Sequence, residues 1–363
     1  AESAQLTQLR FGQRDLGLDA RSAVMEYLCG AANLLDPYST FLTSDQLDEL
    51  YSQIEGNFVG LGVELKAQDG NLLIVKVFTG GPAHQAGIRP GDVITAVEGR
   101  TTEELSTDQA ANMLQGQEGT SVEVTVATPG ATPRRLRVRR EQVEVPSVDD
   151  IKIIDTTAGV GYLRLTCFQK TTSRDLDAAL WRLHREGMKS LIIDLRGNPG
   201  GLLNISVDVV DKFVDEGVIV STRGRNPYED YNYTAHRPGT WQVPLVVLID
   251  GDSASASEIF AGAIRDHRRG TIVGARSYGK GSVQGIYPLS TINGGIRLTT
   301  AKFYSPNGHP FSRVGVSPDV PVAAAAAQQA ARPTADGQFV PAAPVDAALE
   351  TAIHTARRQL ASR

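Results

Sequence analysis

The stretch PLVVLIDGDSASASEIFAGAIRDH, Pro244 to His267, decides the fold. It opens as an apolar run of strand length, passes a Gly- and Ser-rich turn, and continues as a helix-like run. Strands that are apolar throughout are buried on both faces, which happens in parallel sheets covered by helices. SLIIDLRG (Ser190 to Gly197) repeats the pattern, and helix candidates at Thr172–Glu186 and Ile205–Phe213 alternate with these strands. An α/β core with a largely parallel sheet is therefore expected over residues 143–322.

The rest of the chain has a different texture. Residues 1–56 carry apolar positions at helical spacing (Val24, Leu28, Leu35), broken at Asp36-Pro37, with Ser44 placed to cap a second helix. Residues 57–142 show short alternating runs (Leu72–Val77, Val93–Val97, Val122–Val126, Leu136–Val138) between Gly, Pro and Asp, which predicts a β-rich module. Residues 323–363 are Ala- and Pro-rich and end in a helix candidate, Val345–Arg358. Two fates are open for this Ala-rich tail: disorder, or docking of its last helix on a neighbouring subunit.

Composition narrows the function. The 363 residues are 41% hydrophobic and 21% charged, with no apolar run near the roughly 18 residues of a membrane helix. A net charge of -5 and short basic clusters argue against nucleic acid as a partner. Cys29 and Cys167 are far apart and lack metal-ligand spacing; a disulfide between them stays open. The chain opens at Ala1 with no initiator Met or leader, the mark of a processed chain, and so leaves the compartment open.

Three Gly-rich stretches carry candidate chemistry: DLRGNPGG (Asp194–Gly201), GDSASASE (Gly251–Glu258) and SYGKGSVQ (Ser277–Gln284). The first two follow strands, where α/β folds expose backbone donors and helix N-termini to ligands. A serine nucleophile needs a base. None of the six histidines (His84, His184, His236, His267, His309, His354) sits in a Gly-rich turn at a strand end, which leaves Lys280. A lysine serves only if burial strips its proton, and Gly279 and Gly281 allow the close approach that burial requires. Gln284, four residues on in an extended segment, falls on the same face and could hold a neutral amine.

In FVGLGVEL (Phe58–Leu65), glycines let successive N–H groups point into one concavity that suits a carboxylate. With GGPAHQAGIRPGDVITAVEGR following, the module resembles a PDZ domain. The resemblance implies capture of a peptide C-terminus at the amides of Leu61, Gly62 and Val63.

Taken jointly, these stretches resemble the carboxyl-terminal processing, or tail-specific, proteases, from LDPYSTFL (Leu35–Leu42) through GVSPDV (Gly315–Val320). That family implies a serine endopeptidase of crotonase-like fold with an inserted PDZ domain, acting near the C-termini of proteins without metal or organic cofactor. By resemblance, the nucleophile falls on Ser255, the base on Lys280 and a supporting side chain on Gln284, while Ser253 and Ser257 cap and pack. The oxyanion donors fall on Ala256 N–H and on Gly200 or Gly201, with Glu258 in support. An extracytoplasmic location is implied, and a homo-oligomer or an adaptor is compatible. Regulated relatives carry Arg-Gly after the PDZ ligand helix; this chain has Gln115-Gly116, leaving that mode of activation in doubt. Two rivals remain: a peptide-binding adaptor on a silent protease frame, and a P-loop at GARSYGKGS (Gly274–Ser282), which would need a helix after it and Ser or Thr at Gly281.

Overall fold

The computed structural model describes residues 20–68, 71–103, 105, 107–236, 240–289, 294–322, 331–333, 339–341 and 346–362. They fall into two compact units, one spanning Tyr51–Pro146 and the other built from the chain on either side of it.

The inserted unit is an antiparallel sheet of Val63–Gln68, Asn71–Val77, Val93–Val97, Ser121–Ala127 and Arg134–Arg139, in that order. Every second residue of Ser121–Ala127 (Val122, Val124, Val126) is buried, as strand alternation requires. These valines pack with Leu72, Ile74, Ile94 and Leu114 into the unit's own core. Two helices close it, Pro82–Gln85 and Thr107–Leu114. Arg140 ends the second one: its guanidinium donates to the carbonyls of Met113 and Leu114, filling acceptors that a helix C-terminus leaves open.

The larger unit holds a six-stranded sheet ordered Val148–Asp155, Val160–Leu165, Ser190–Asp194, Leu245–Ile249, Thr271–Gly274 and Val320–Pro321. The first pair is antiparallel and the rest run parallel. Its strands bury both faces by alternation. Leu191, Ile193, Leu245 and Val247 face the helices Thr172–Arg185, Leu203–Val210 and Ala256–Asp266. Ile192, Val246, Leu248 and Val273 face Ala352 and Ala356 of the Ala347–Ala361 helix, so the terminal helix docks on its own chain.

Two features depart from the sequence reading. The largely parallel sheet expected within residues 143–322 is present, and beside it the same unit carries a second, antiparallel sheet that the α/β pattern does not announce. In it, Gly294–Tyr304 pairs with Thr40–Thr43, Ser282–Leu289 and Gly217–Gly224, and Tyr231–Ala235 adds to the last of these. Thr40–Thr43 was hidden because a four-residue strand between helices has no periodicity of its own; its partner supplies the ladder. The second departure is the helix cap. Thr43, not Ser44, caps the Ser44–Glu55 helix, with its hydroxyl accepting from Gln46 N–H (3.3 Å) and its N–H donating to the Gln46 side chain (3.0 Å). Cys29 and Cys167 are unpaired. No helix among the described residues is long and apolar enough to cross a membrane.

Candidate active site

The Leu245–Ile249 strand leads into a turn that ends at Ser255, the residue before the Ala256–Asp266 helix. Ser255 has φ 57° and ψ -113°, a left-handed backbone that non-glycine residues rarely adopt and that lifts the residue out of the chain's direction. The three serines of the turn divide sharply. Ser253 and Ser257 have no exposure. The Ser253 hydroxyl donates to Leu195 O (2.8 Å) and accepts from Asp250 N–H (3.0 Å), and the Ser257 hydroxyl donates to Asn198 O (3.0 Å). Both stitch the serine turn to the DLRGNPGG loop, leaving Ser255 as the one of the three within reach of a ligand.

That loop is fastened in the same way. Ala254 N–H donates to Asn198 O and Gly197 N–H to Asp250 Oδ1, each at 3.0 Å. Gly200, at φ 105°, lies flat against the serine turn; a Cβ there would stand 2.7 Å from Ala254 O and from Ser255 Cβ, and 2.9 Å from Ala256 N. Gly201 is as constrained, since a Cβ would strike Phe168 O at 2.2 Å. The two glycines differ in their donors. Gly200 N–H is taken by the Asn198 side chain (2.9 Å), whereas no acceptor among the described residues takes the N–H of Gly201 or Ala256.

Glu258 joins the serine turn to the lysine loop. It is fully buried, yet its carboxylate accepts four hydrogen bonds. Oε2 takes the N–H of Ser255 and of Lys280, both at 2.8 Å. Oε1 takes Gly279 N–H (2.7 Å) and the Ser277 hydroxyl (2.6 Å). One oxygen thus holds the backbones of Ser255 and Lys280 together, and four donors compensate a buried charge that would otherwise be prohibitive. The flanking glycines let the loop run close to its neighbour: a Cβ on Gly281 would lie 2.2 Å from Ser312 N, and one on Gly279 3.1 Å from Arg313 Cα.

The pKa of the Lys280 amine is driven below its ordinary range by burial first and by the Arg297 charge second, with Glu258 pulling the other way. Its Nζ lies 5.3 Å from the centre of the Tyr38 ring. No hydrogen bond links Lys280 Nζ to Ser255 Oγ among the described residues. Gln284 does not reach the amine either; its Nε2 donates to Ser282 Oγ (2.8 Å) and contacts Thr299 Oγ1 at 3.5 Å. The simple alternation expected from Lys280 to Gln284 fails here. The strand begins only at Ser282, and a register shift falls between Val283 and Gln284. The segment after Gly281 is that strand rather than a helix, which removes the P-loop reading.

Sequence reasoning passed over two groups. Buried Asp194, at the strand end before the DLRGNPGG loop, accepts from the Tyr162 hydroxyl (2.8 Å) and from Arg196 (2.6 Å), and Arg196 continues to Asp346 (2.8 Å), the cap of the terminal helix. The second is Tyr38, whose link to Lys280 is purely tertiary. In the inserted unit, Leu61 and Gly62 lie between the strands Asn57–Gly60 and Val63–Gln68, with Gly62 at φ 76°. Gln115 is exposed.

A family model described as peptidase family S41 matches residues 159–322, and one described as PDZ domain matches residues 73–128. The carboxy-terminal-processing protease of Bartonella bacilliformis is 36% identical over 310 residues, covering 84% of this chain and 70% of that protein. The protein named "Probable CtpA-like serine protease" of Staphylococcus aureus is 33% identical over 291 residues; the match covers 80% of this chain and 58% of that protein's length. Among solved structures, the photosystem II D1 C-terminal processing protease is 30% identical with a TM-score of 0.52, covering 88% of this chain and 92% of that one. Fold and comparisons define a serine-type peptidase core interrupted by a PDZ domain. The chain belongs to peptidase family S41, among the carboxy-terminal-processing proteases.

Proposed function

We propose that this chain cleaves proteins near their C-termini, with Ser255 as nucleophile and Lys280 as base. The observation that carries the reading is the sorting of the three serines: two are buried and spent on holding loops, while Ser255 stands half-buried on a strained turn, its backbone tied through Glu258 to that of a half-buried lysine. Glu258 keeps the two backbones on one oxygen. In the reaction, the neutral Lys280 amine takes the Ser255 proton as the oxygen attacks the peptide carbonyl. The ammonium then gives that proton to the leaving amine, and water releases the acyl group.

The developing oxyanion is held by Ala256 N–H and by a glycine N–H. Gly201 is available in this state, and Gly200 becomes available if Asn198 releases it. Side-chain contact between Ser255 and Lys280 is part of the proposal, since catalytic hydrogen bonds commonly tighten only with substrate bound. Gln284 reaches the amine only by leaving Ser282.

The inserted unit captures the substrate's C-terminal carboxylate at Leu61, Gly62 and Val63, in the manner of PDZ domains. Support comes from the Gly62 turn and the absence, among the described residues, of an acceptor for the N–H groups of Leu61 and Gly62. An extracytoplasmic site of action goes with this reading on the strength of the family resemblance. The test is cleavage of an unfolded, C-terminally tagged protein by the full chain, Ser255→Ala and Lys280→Ala. Both variants should lose activity by at least about 1,000-fold, the order lost with a nucleophile or its base. Equal degradation by all three would leave only a peptide-binding adaptor.

A further inference from the structure

The turn Asp36-Pro37-Tyr38-Ser39 precedes the inserted unit, and most of the chain separates it from the lysine loop. It is nevertheless hooked onto the second sheet next to that loop. Asp36 Oδ1 accepts from the N–H of Tyr38 (2.8 Å) and Ser39 (3.0 Å) and from the Thr299 hydroxyl (3.0 Å); Oδ2 accepts from the Ser39 hydroxyl (2.5 Å). Ser39 Oγ in turn accepts from Thr299 N–H (3.1 Å), and Arg297 Nε donates to Tyr38 O (3.1 Å). Thr40–Thr43 then enters the ladder opposite Gly294–Arg297. A turn held at this many points has little freedom, and the side chain it fixes is Tyr38, with its ring over the Lys280 amine at 5.3 Å.

We propose that Tyr38 is a positioning residue for the reaction: its ring is the cover that keeps water from the Lys280 amine, and the 36–39 turn is the hook that holds the cover. The inference rests on reading Lys280 as the base. A ring above an amine acts in two opposed ways. Its π face attracts an ammonium. Its bulk excludes the water that an ammonium needs, which favours the neutral amine.

Burial is the strongest influence on Lys280, and the net direction is toward the neutral form, the sense in which the ring's bulk acts. The charged groups bearing on the amine are Arg297, from the Gly294–Tyr304 strand, which reinforces that direction, and Glu258, from the Ala256–Asp266 helix, which opposes it. The Tyr38 hydroxyl does not compete as a base. Burial first, then Tyr278 and Glu258, push its pKa up, so it stays a neutral phenol. Burial pushes the Asp36 carboxyl up as well, but hydrogen bonds from Ser39, Tyr38 and Thr299 outweigh it and leave the hook ionised.

The test compares pH profiles of kcat/KM on fluorescein-labelled unfolded casein for the full chain and its Tyr38→Phe, Tyr38→Leu, Tyr38→Ala and Asp36→Asn variants. If cover is what matters, Phe and Leu keep the acid limb where it is in the parent. Ala moves the limb up by about one pH unit, a tenfold loss below it with recovery above it. Asp36→Asn, which loosens the hook and leaves the ring's volume in place, moves it the same way and carries the test should Tyr38→Ala fail to fold. An unmoved limb in the Ala and Asn variants overturns the proposal. So does a downward shift shared by Leu and Ala, which would mean that the π face had been stabilising the ammonium. Lys280→Ala separates the two levels. If it retains activity, the base assignment falls; if it is inactive while the limb stays put, only the cover falls.

Discussion

Replacing Glu258 by Gln tests whether one buried carboxylate organises the site. The exchange keeps the shape and removes one of two acceptor oxygens. With its oxygen turned toward Ser255 and Lys280, the amide keeps those two N–H donors but presents its NH2 group to Gly279 N–H and the Ser277 hydroxyl. The hydroxyl can rotate to accept, although it already accepts from Val316 N–H (2.7 Å); the glycine N–H cannot. Hydrogen bonds to a charged partner contribute about 1.5–3 kcal/mol each, roughly twice a neutral one. Losing one and weakening the others costs about 4–5 kcal/mol, and relief of the buried charge offsets part of it, leaving about 2–3 kcal/mol.

The opposite amide orientation is worse for catalysis, because the NH2 group then faces both Ser255 N–H and Lys280 N–H. Either way the serine and lysine loops lose their common anchor. A misplacement of about 1 Å at a reacting centre lowers a rate about 100-fold. Denaturant unfolding and casein cleavage on the same full-length Glu258→Gln protein measure both effects. A variant within about 0.5 kcal/mol of the parent in stability, the ordinary scatter of a harmless substitution, and within twofold in kcat would refute the reasoning.

Gly200→Ala should abolish cleavage while the chain stays folded, because the new Cβ would collide with Ala254 O and Ser255 Cβ at a backbone φ that alanine avoids. A loss of at least about 100-fold in kcat/KM, with a melt that shows a strain cost of only about 1–3 kcal/mol, is the outcome to look for. In the parent, kcat/KM should rise with pH through the lowered Lys280 pKa and level above it, since only the neutral amine accepts the serine proton. The sign for stability is the same. The folded pKa lies below the unfolded one, so between them the unfolded chain binds more protons and this group's contribution to stability grows with pH. Arg297→Gln removes a neighbouring positive charge and should move the acid limb upward.

Much of the architecture is legible in the chain itself, and the reasons are local. LVVLI is apolar at every position and SLIID at its three central ones, and the structure buries both faces of each strand. SVEVTVA alternates and buries one face. The Gly- and Ser-rich turns after the core strands nominate Ser255, Lys280 and the NPGG glycines, because strand ends and helix starts are where a backbone exposes unpaired donors. The motif alone could not sort the three serines by role. Family resemblance named the middle one, and burial shows what the other two are engaged in.

The remaining features depend on groups that meet only when the chain is folded. Tyr38 comes to Lys280 because Asp36 and Arg297 bond across 263 and 259 positions of sequence. Glu258 looks like an ordinary first-turn acid until Ser277, Gly279 and Lys280 close on it from another loop. Thr40–Thr43 becomes a strand because Gly294–Arg297 offers it a ladder. Periodicity and turn chemistry act between neighbours along the backbone, so a sequence shows them directly. Burial of a charge, the cover over an amine and the pairing of a short strand are set by what arrives from elsewhere, and only the tertiary structure decides them.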